Sequence, residues 1–317
     1  MPSIQRLSRL VSPARNAKNI NWHPGHMYAG TKAIQGKLKT VDCVIEVHDA
    51  RIPFIGRNEE FRKHLGAIKP RLLVLNKADL ADLSRWNEIQ SRLRREGDQN
   101  VMLTELKGSN MTKASRSLHN MLDTAVRLIN NSDRFNRSMM NFYRIMVVGI
   151  PNVGKSTLIN RLRQQYLGRG GEPAKTGPEA GVTKHVENMI KVCPRPPIYL
   201  LDTPGILQPG ATRDVNQAMR LALCSTINDK AVDFEALVNY LLEYLNKSGN
   251  HMYKHVLELD QDQPVNSLDD LVANLRLRGD SIQQLDGLKN KGLDRDSICL
   301  EFIKSFRVGK FGNVTFD

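Results

Sequence analysis

Several things are scarce in this sequence, and each scarcity excludes something. There are four cysteines, Cys43, Cys193, Cys224 and Cys299, far apart and with no CxxC pair. Such spacing argues against a zinc site and a disulfide framework and fits a reducing compartment. No stretch approaches the roughly 18 consecutive apolar residues that a membrane-crossing helix needs. No acidic residue occurs from Met1 to Val41, whereas Arg6, Arg9, Arg15, Lys18, Lys32, Lys37 and Lys39 all fall there. Ile4, Leu7, Leu10 and Val11 share one helical face, with Ser3, Ser8 and Ser12 between them. This acid-free, amphipathic, Arg- and Ser-containing start lacks the apolar core of a secretory signal and reads as a mitochondrial presequence over residues 1–18. A basic arm that touches RNA is the plainer alternative.

What is present is enough for two modest domains. The chain has 317 residues, 40% of them apolar and 25% charged, a composition that builds a core and is not disordered. The formal net charge is +13, which points to a polyanionic partner, nucleic acid or an anionic membrane. The surplus is uneven. Residues 215–317 carry 12 basic and 15 acidic side chains, which leaves 34 basic and 18 acidic for the first 214 residues.

Hydrophobic patterning predicts strands at 41–49, 71–76, 100–104, 143–148, 186–192 and 197–202. Helices are expected at 58–65, 84–96, 112–131 and 155–164, and a Gly/Pro-rich segment at 168–181 reads as mobile. Alternating strands and helices imply a mostly parallel sheet with helices on both faces. From residue 215 the pattern turns helical, at 215–227, 233–247, 250–257, 267–276, 279–285 and 294–306. The expected organisation is an α/β domain over 19–214 and a small all-helical domain over 215–317.

Three motifs carry chemistry. Gly149-Ile150-Pro151-Asn152-Val153-Gly154-Lys155-Ser156 matches GxxxxGK[ST] between a predicted strand and a predicted helix, followed by Thr157. Its glycines let backbone N–H groups close on phosphate oxygens, Lys155 would reach the β- and γ-phosphates, and Ser156 would hold Mg²⁺. Asn76-Lys77-Ala78-Asp79 matches NKxD at a strand end. A carboxylate at Asp79 can accept both N1–H and N2–H₂ of guanine, a pair adenine does not offer. Asp202-Thr203-Pro204-Gly205 places an Asp to hold the water shell of Mg²⁺ and a Gly N–H to meet the γ-phosphate. Thr183 is the candidate switch threonine on Mg²⁺. The guanine motif precedes the phosphate loop, which precedes the Mg²⁺ motif. In ordinary small GTPases the guanine motif comes last, so the order is a circular permutation, and the chain continues from the Mg²⁺ switch straight into the helical region.

The order and motifs resemble the YlqF/RbgA family of circularly permuted ribosome-assembly GTPases, with the N-terminal features nearest its mitochondrial members. The resemblance covers nearly the whole chain after the presequence. It includes Trp22-His23-Pro24-Gly25-His26-Met27 and Asp49-Ala50-Arg51-Ile52-Pro53. It implies hydrolysis of GTP to GDP, a large ribosomal subunit partner (rRNA and proteins of the mitochondrial ribosome), a matrix location with a peripheral tie to the inner membrane, and a monomer. Ile206 stands where Ras-like enzymes carry the water-orienting Gln, and the resemblance implies that His26 takes that part. Asn152 resembles the asparagine of potassium-activated GTPases, which makes K⁺ a second expected ion. Thr104 aligns with the second base-contacting loop, but Glu105 and Leu106 depart from its usual small residues. Arg51, Arg161, Arg163, Arg169 and Lys175 are candidates for rRNA contact. A nucleotide-gated RNA-binding module with little hydrolysis, or a GTPase acting on another RNA, are the rival expectations.

Overall fold

The computed structural model describes residues 34, 36–57, 69–107, 111–134, 137–168, 189–205, 214–277 and 294–317. The described chain falls into two compact units, one within His23–Gly210 and the other within Ala211–Asp317. The presequence region, the helices expected at 58–65 and 279–285, and His26, Arg169, Lys175, Thr183 and Ile206 lie outside the described residues.

The first unit is built on one six-stranded sheet of order β3-β2-β1-β4-β6-β5. Its strands are β1 (Cys43–Asp49), β2 (Arg71–Asn76), β3 (Val101–Leu103), β4 (Tyr143–Val148), β5 (Met189–Pro194) and β6 (Pro197–Asp202). All pairings are parallel except β5 with β6. Every residue of β1 is buried, as expected of a central parallel strand covered on both sides. Strand β5 is described from Met189, and its antiparallel pairing with β6 runs to Pro194 opposite Pro197, two residues past the expected end. Helices α1 (Trp86–Arg95), α2 (Met111–Asn130) and α3 (Lys155–Leu167) belong to this unit. Helix α2 packs against β1 and β2, and α3 against β5 and β6.

The order of strands decides where a ligand can go. The chain runs outward from β1 to β2 to β3, then returns to place β4 on the other side of β1. The reversal opens a crevice beyond the carboxyl ends of β1 and β4, the place where open parallel sheets bind ligands. Asp49, Asn76 and Asp202 end β1, β2 and β6, and Gly149 follows β4, so all four lie on the carboxyl edge of the sheet.

Buried ions brace the same sheet. Arg57 pairs with Glu46 at 2.8 Å and Asp98 at 2.8 Å, and Arg71 closes the ring by pairing with the same two carboxylates. Burial would raise the Glu46 carboxyl, but the two guanidinium groups hold it at about 2. Asp42, just before β1, takes Arg137 at 2.8 Å, Arg134 at 3.4 Å and the amide of Arg144, which ties the polar 131–142 connection to the start of the sheet.

The second unit contains helices α4 (Val215–Leu223), α5 (Phe234–Lys247), α6 (Met252–Val256), α7 (Leu268–Leu277) and α8 (Arg295–Arg307). Side chains cap most of their starts: Asp214 for α4, Asp233 for α5 and Asp294 for α8. Before α7, Ser267 and Asp270 each accept from the other's amide, a reciprocal capping box. Helix α4 stops at Leu223, short of the expected 227. Ser225 turns left-handed at φ 60°, and the Thr226 amide and hydroxyl both close on the Leu221 carbonyl. The core holds an aromatic cluster: Tyr253, Phe302 and Phe311 are in mutual ring contact and nearly inaccessible. Buried Arg220 donates to the Tyr240 hydroxyl and the Phe316 carbonyl, at 2.9 Å each, and so fastens the C-terminal segment.

Candidate nucleotide site

The phosphate loop is where the sequence places it, between β4 and the first turn of α3. Asn152 adopts φ 58° and Gly154 φ 106°, left-handed conformations that Asn and Gly tolerate best. Gly154 is required for a second reason: a Cβ there would collide with the side-chain amide of Asn76. Gly205 is equally constrained, since a Cβ would come 2.7 Å from the backbone of Pro151. The Asp202–Gly205 segment therefore lies directly on the phosphate loop. Thr203 secures it by donating its hydroxyl to the Val147 carbonyl at 2.7 Å.

Lys155 curls back over its own loop, its Nζ donating to the carbonyls of Ile150 at 2.9 Å and Gly149 at 3.1 Å. Burial lowers its pKa to about 8, with Asp202 pulling the other way. The Ser156 hydroxyl lies 3.4 Å from Asp202 Oδ2. Among the described residues the other Asp202 oxygen, Oδ1, is buried with no hydrogen-bond partner, and burial raises this carboxyl. A hydroxyl and a carboxylate with an unsatisfied oxygen form the hard-oxygen set that suits Mg²⁺.

The guanine motif is welded to that loop by one side chain. Asn76 donates its amide to the Val153 carbonyl at 2.8 Å. Its oxygen accepts from the Thr104 hydroxyl and the Leu106 amide, both at 3.3 Å. Three segments far apart in sequence thus meet on Asn76. Thr104 also accepts the Ala78 amide at 3.1 Å, and Arg161 of α3 donates to the Leu106 carbonyl at 3.1 Å. Asp79 stands exposed on the short turn Ala78–Leu80, its carboxyl raised by partial burial. Thr157 continues α3 behind the loop.

Of the predicted residues, Asn76, Lys77, Asp79, Thr104, the segment Gly149–Thr157, Asp202 and Gly205 converge on one end of the sheet; His26 and Thr183 are outside the described residues. Arg51 corrects an expectation. It is 2% exposed and pairs bidentately with Asp49 at 2.9 and 3.0 Å, so it is internal and not a contact for RNA. The bridging by Asn76 and the pair Asp49–Lys77 went unread in the sequence. The only signal for the latter was that Asp49 and Asn76 each end a predicted strand.

Comparison with known proteins agrees with the fold and with a GTPase. The model of the 50S ribosome-binding GTPase family matches residues 144–259. Mitochondrial GTPase 1 of Aedes aegypti is 40% identical over 318 residues, covering 98% of this chain and 97% of the relative. Mitochondrial ribosome-associated GTPase 1 of Mus musculus is 42% identical over 310 residues, covering 96% and 92%. Ribosome biogenesis GTPase A of Bacillus pumilus is 31% identical over 305 residues, covering 94% and 98%. The crystal structure of GNP-bound YlqF from T. maritima superposes with a TM-score of 0.54 at 21% identity, covering 91% of this chain and 97% of that one, a likeness of fold.

Proposed function

Because the chain belongs to the YlqF/RbgA family of circularly permuted GTPases, we propose that it binds the mitochondrial large ribosomal subunit and assists its assembly, with GTP hydrolysis stimulated by the ribosome. The observation that carries the reading is the Asn76 bridge, which brings a guanine-selective loop and a phosphate loop to one crevice. The names of the mitochondrial and bacterial relatives support the ribosomal partner. Those names and the acid-free N-terminus, whose residues 1–18 would be the presequence, support a mitochondrial location, which this reading takes to be the matrix. The protein acts as a monomer with a peripheral tie to the inner membrane.

Asp79 accepts the two guanine N–H groups, and Thr104 with its loop closes over the base. Gly149, Val153 and Gly154 give the phosphates their backbone cradle, and Lys155 swings from its loop carbonyls to the β- and γ-oxygens. Ser156 and Asp202 would hold Mg²⁺, Asp202 through water, with Thr183 closing on it; the ion neutralises phosphate charge when bound. Asn152 would hold K⁺, whose charge would offset the negative charge that develops on the phosphates. His26 orients the attacking water, since Ile206 cannot. The chain runs from Gly205 into the unit that starts at Ala211, so a nucleotide-driven change near 203–214 passes directly to residues 215–317.

The test is the GTP hydrolysis rate in K⁺ and in Na⁺ buffer, with and without purified mitochondrial large subunits. Strong stimulation, lost in His26→Ala with nucleotide binding retained, is the expected result. Bound GTP without stimulation would replace this reading with a nucleotide-gated binding module, for which Ile206 is the motive.

A further inference from the structure

The Asp49-Ala50-Arg51 segment has no part in the function above, yet it touches the guanine motif in two places. Asp49 ends β1 opposite Asn76, which ends β2. The Ala50 amide donates to the Asn76 carbonyl at 2.8 Å. The Asp49 carboxylate, fully buried, is held by two cations and one amide. Its Oδ1 accepts from the Arg51 amide and Nε at 3.0 Å each. Its Oδ2 accepts from Arg51 Nη2 at 2.9 Å and from Lys77 Nζ at 2.9 Å.

Lys77 is the joint of the guanine loop. The residue before it, Asn76, is locked to the phosphate loop, and two residues after it Asp79 must meet the base. Lys77 itself is left-handed, φ 61° and ψ 37°, a conformation that costs a residue with a side chain and persists only when its surroundings impose it. The Asp49 carboxylate is one such constraint, and Arg51, inflexible and bidentate, orients that carboxylate. The carboxyl is held well below the usual range, because Arg51 and Lys77 overcome the cost of burial, so it is charged at every working pH.

The geometry points to Asp49 as a positioning residue for base recognition: through the Lys77 ammonium it fixes the joint that aims Asp79, with Arg51 as its orienter. The inference rests on the reading of Asn76–Asp79 as the guanine loop. The two can fail separately.

The experiment is a double-mutant cycle on the full chain with Asp49→Asn and Lys77→Met. Dissociation constants are read for GDP, and for inorganic pyrophosphate by displacement of a fluorescent GDP. D49N should weaken GDP about tenfold and pyrophosphate less than twofold, since pyrophosphate reads the phosphate loop alone. In the K77M background D49N should add less than twofold. Equal losses for both ligands, or multiplicative losses in the double variant, would overturn the proposal. Lys77→Met leaves the Asp49–Arg51 pair whole, and Asp49→Glu keeps the charge while moving the carboxylate. If D49N does not fold, both should therefore show the same selective loss of GDP, and a loss in neither refutes the idea. Asp79→Asn tests the loop itself, since an amide there offers a donor that suits xanthine; unchanged preference between GDP and xanthosine diphosphate would sink the guanine-loop reading instead.

Discussion

Replacing Asn76 by alanine should break the site by releasing the three segments that its side chain joins. The side chain makes one short hydrogen bond, 2.8 Å to the Val153 carbonyl, and two longer ones, 3.3 Å from Thr104 and Leu106. Asn76 is 3% exposed, Thr104 2% and Leu106 1%, so water does not readily replace the lost partners. Each net hydrogen bond is worth about 1 kcal/mol, and a buried group left unsatisfied costs about 1–3 kcal/mol. With two bonds long, the total is about 2–3 kcal/mol. The loss separates the loops that nucleotide must bring back together, so it appears mainly in binding, about 30- to 100-fold in the GDP dissociation constant. Titration calorimetry with GDP and Mg²⁺ measures it, with thermal unfolding of the free protein as the companion. A GDP constant within twofold of the wild type would show that the three segments hold their places without Asn76, and the account of the site would be wrong.

Two further predictions concern protons. Burial lowers free Lys155 to about 8, and phosphate oxygens would raise it on binding. GDP affinity should be flat below pH 8 and fall up to about tenfold per pH unit above it, with proton uptake visible as buffer-dependent calorimetric heat; a flat profile from pH 7 to 9.5 would contradict this. Burial, helped by Arg57, lowers the His48 imidazole from 6.5 to about 4. A depressed His pKa gives stability that is complete above pH 6.5 and lost as pH falls toward 4. Denaturant unfolding should therefore lose about 3 kcal/mol over that window in the wild type and much less in His48→Asn.

The parts of the fold legible in the sequence were those with local causes. The run Leu72–Leu75 is apolar because β2 is covered on both faces, and the bounds of that strand, Arg71–Asn76, fall where the pattern puts them. Helix α3 begins at Lys155 because the phosphate-loop motif is itself a strand–turn–helix signature. The misplaced end of α4 had a tertiary cause. The helix stops where Thr226 turns back onto Leu221. That event leaves no periodic trace in the chain.

The site was legible as a set of types and hardly at all as a set of pairings. A motif names residues that chemistry requires, so Lys155, Ser156, Asp79 and Asp202 announce themselves. What holds them is chosen by the sheet. Asn76 meets Val153 across 77 positions and Asp42 meets Arg137 across 95, contacts that depend on the strand order β2-β1-β4. Arg51 shows the cost of reading charge without topology. In the sequence it is one more basic residue on a basic chain, a natural contact for RNA. In the fold it lies beneath the surface beside Asp49, two residues back, at the end of a strand whose every side chain is buried. An arginine two residues from an aspartate is ambiguous until the burial of the strand is known; once it is, the unpaired alternative would bury a charge at a cost of several kcal/mol, and the ion pair is the arrangement left.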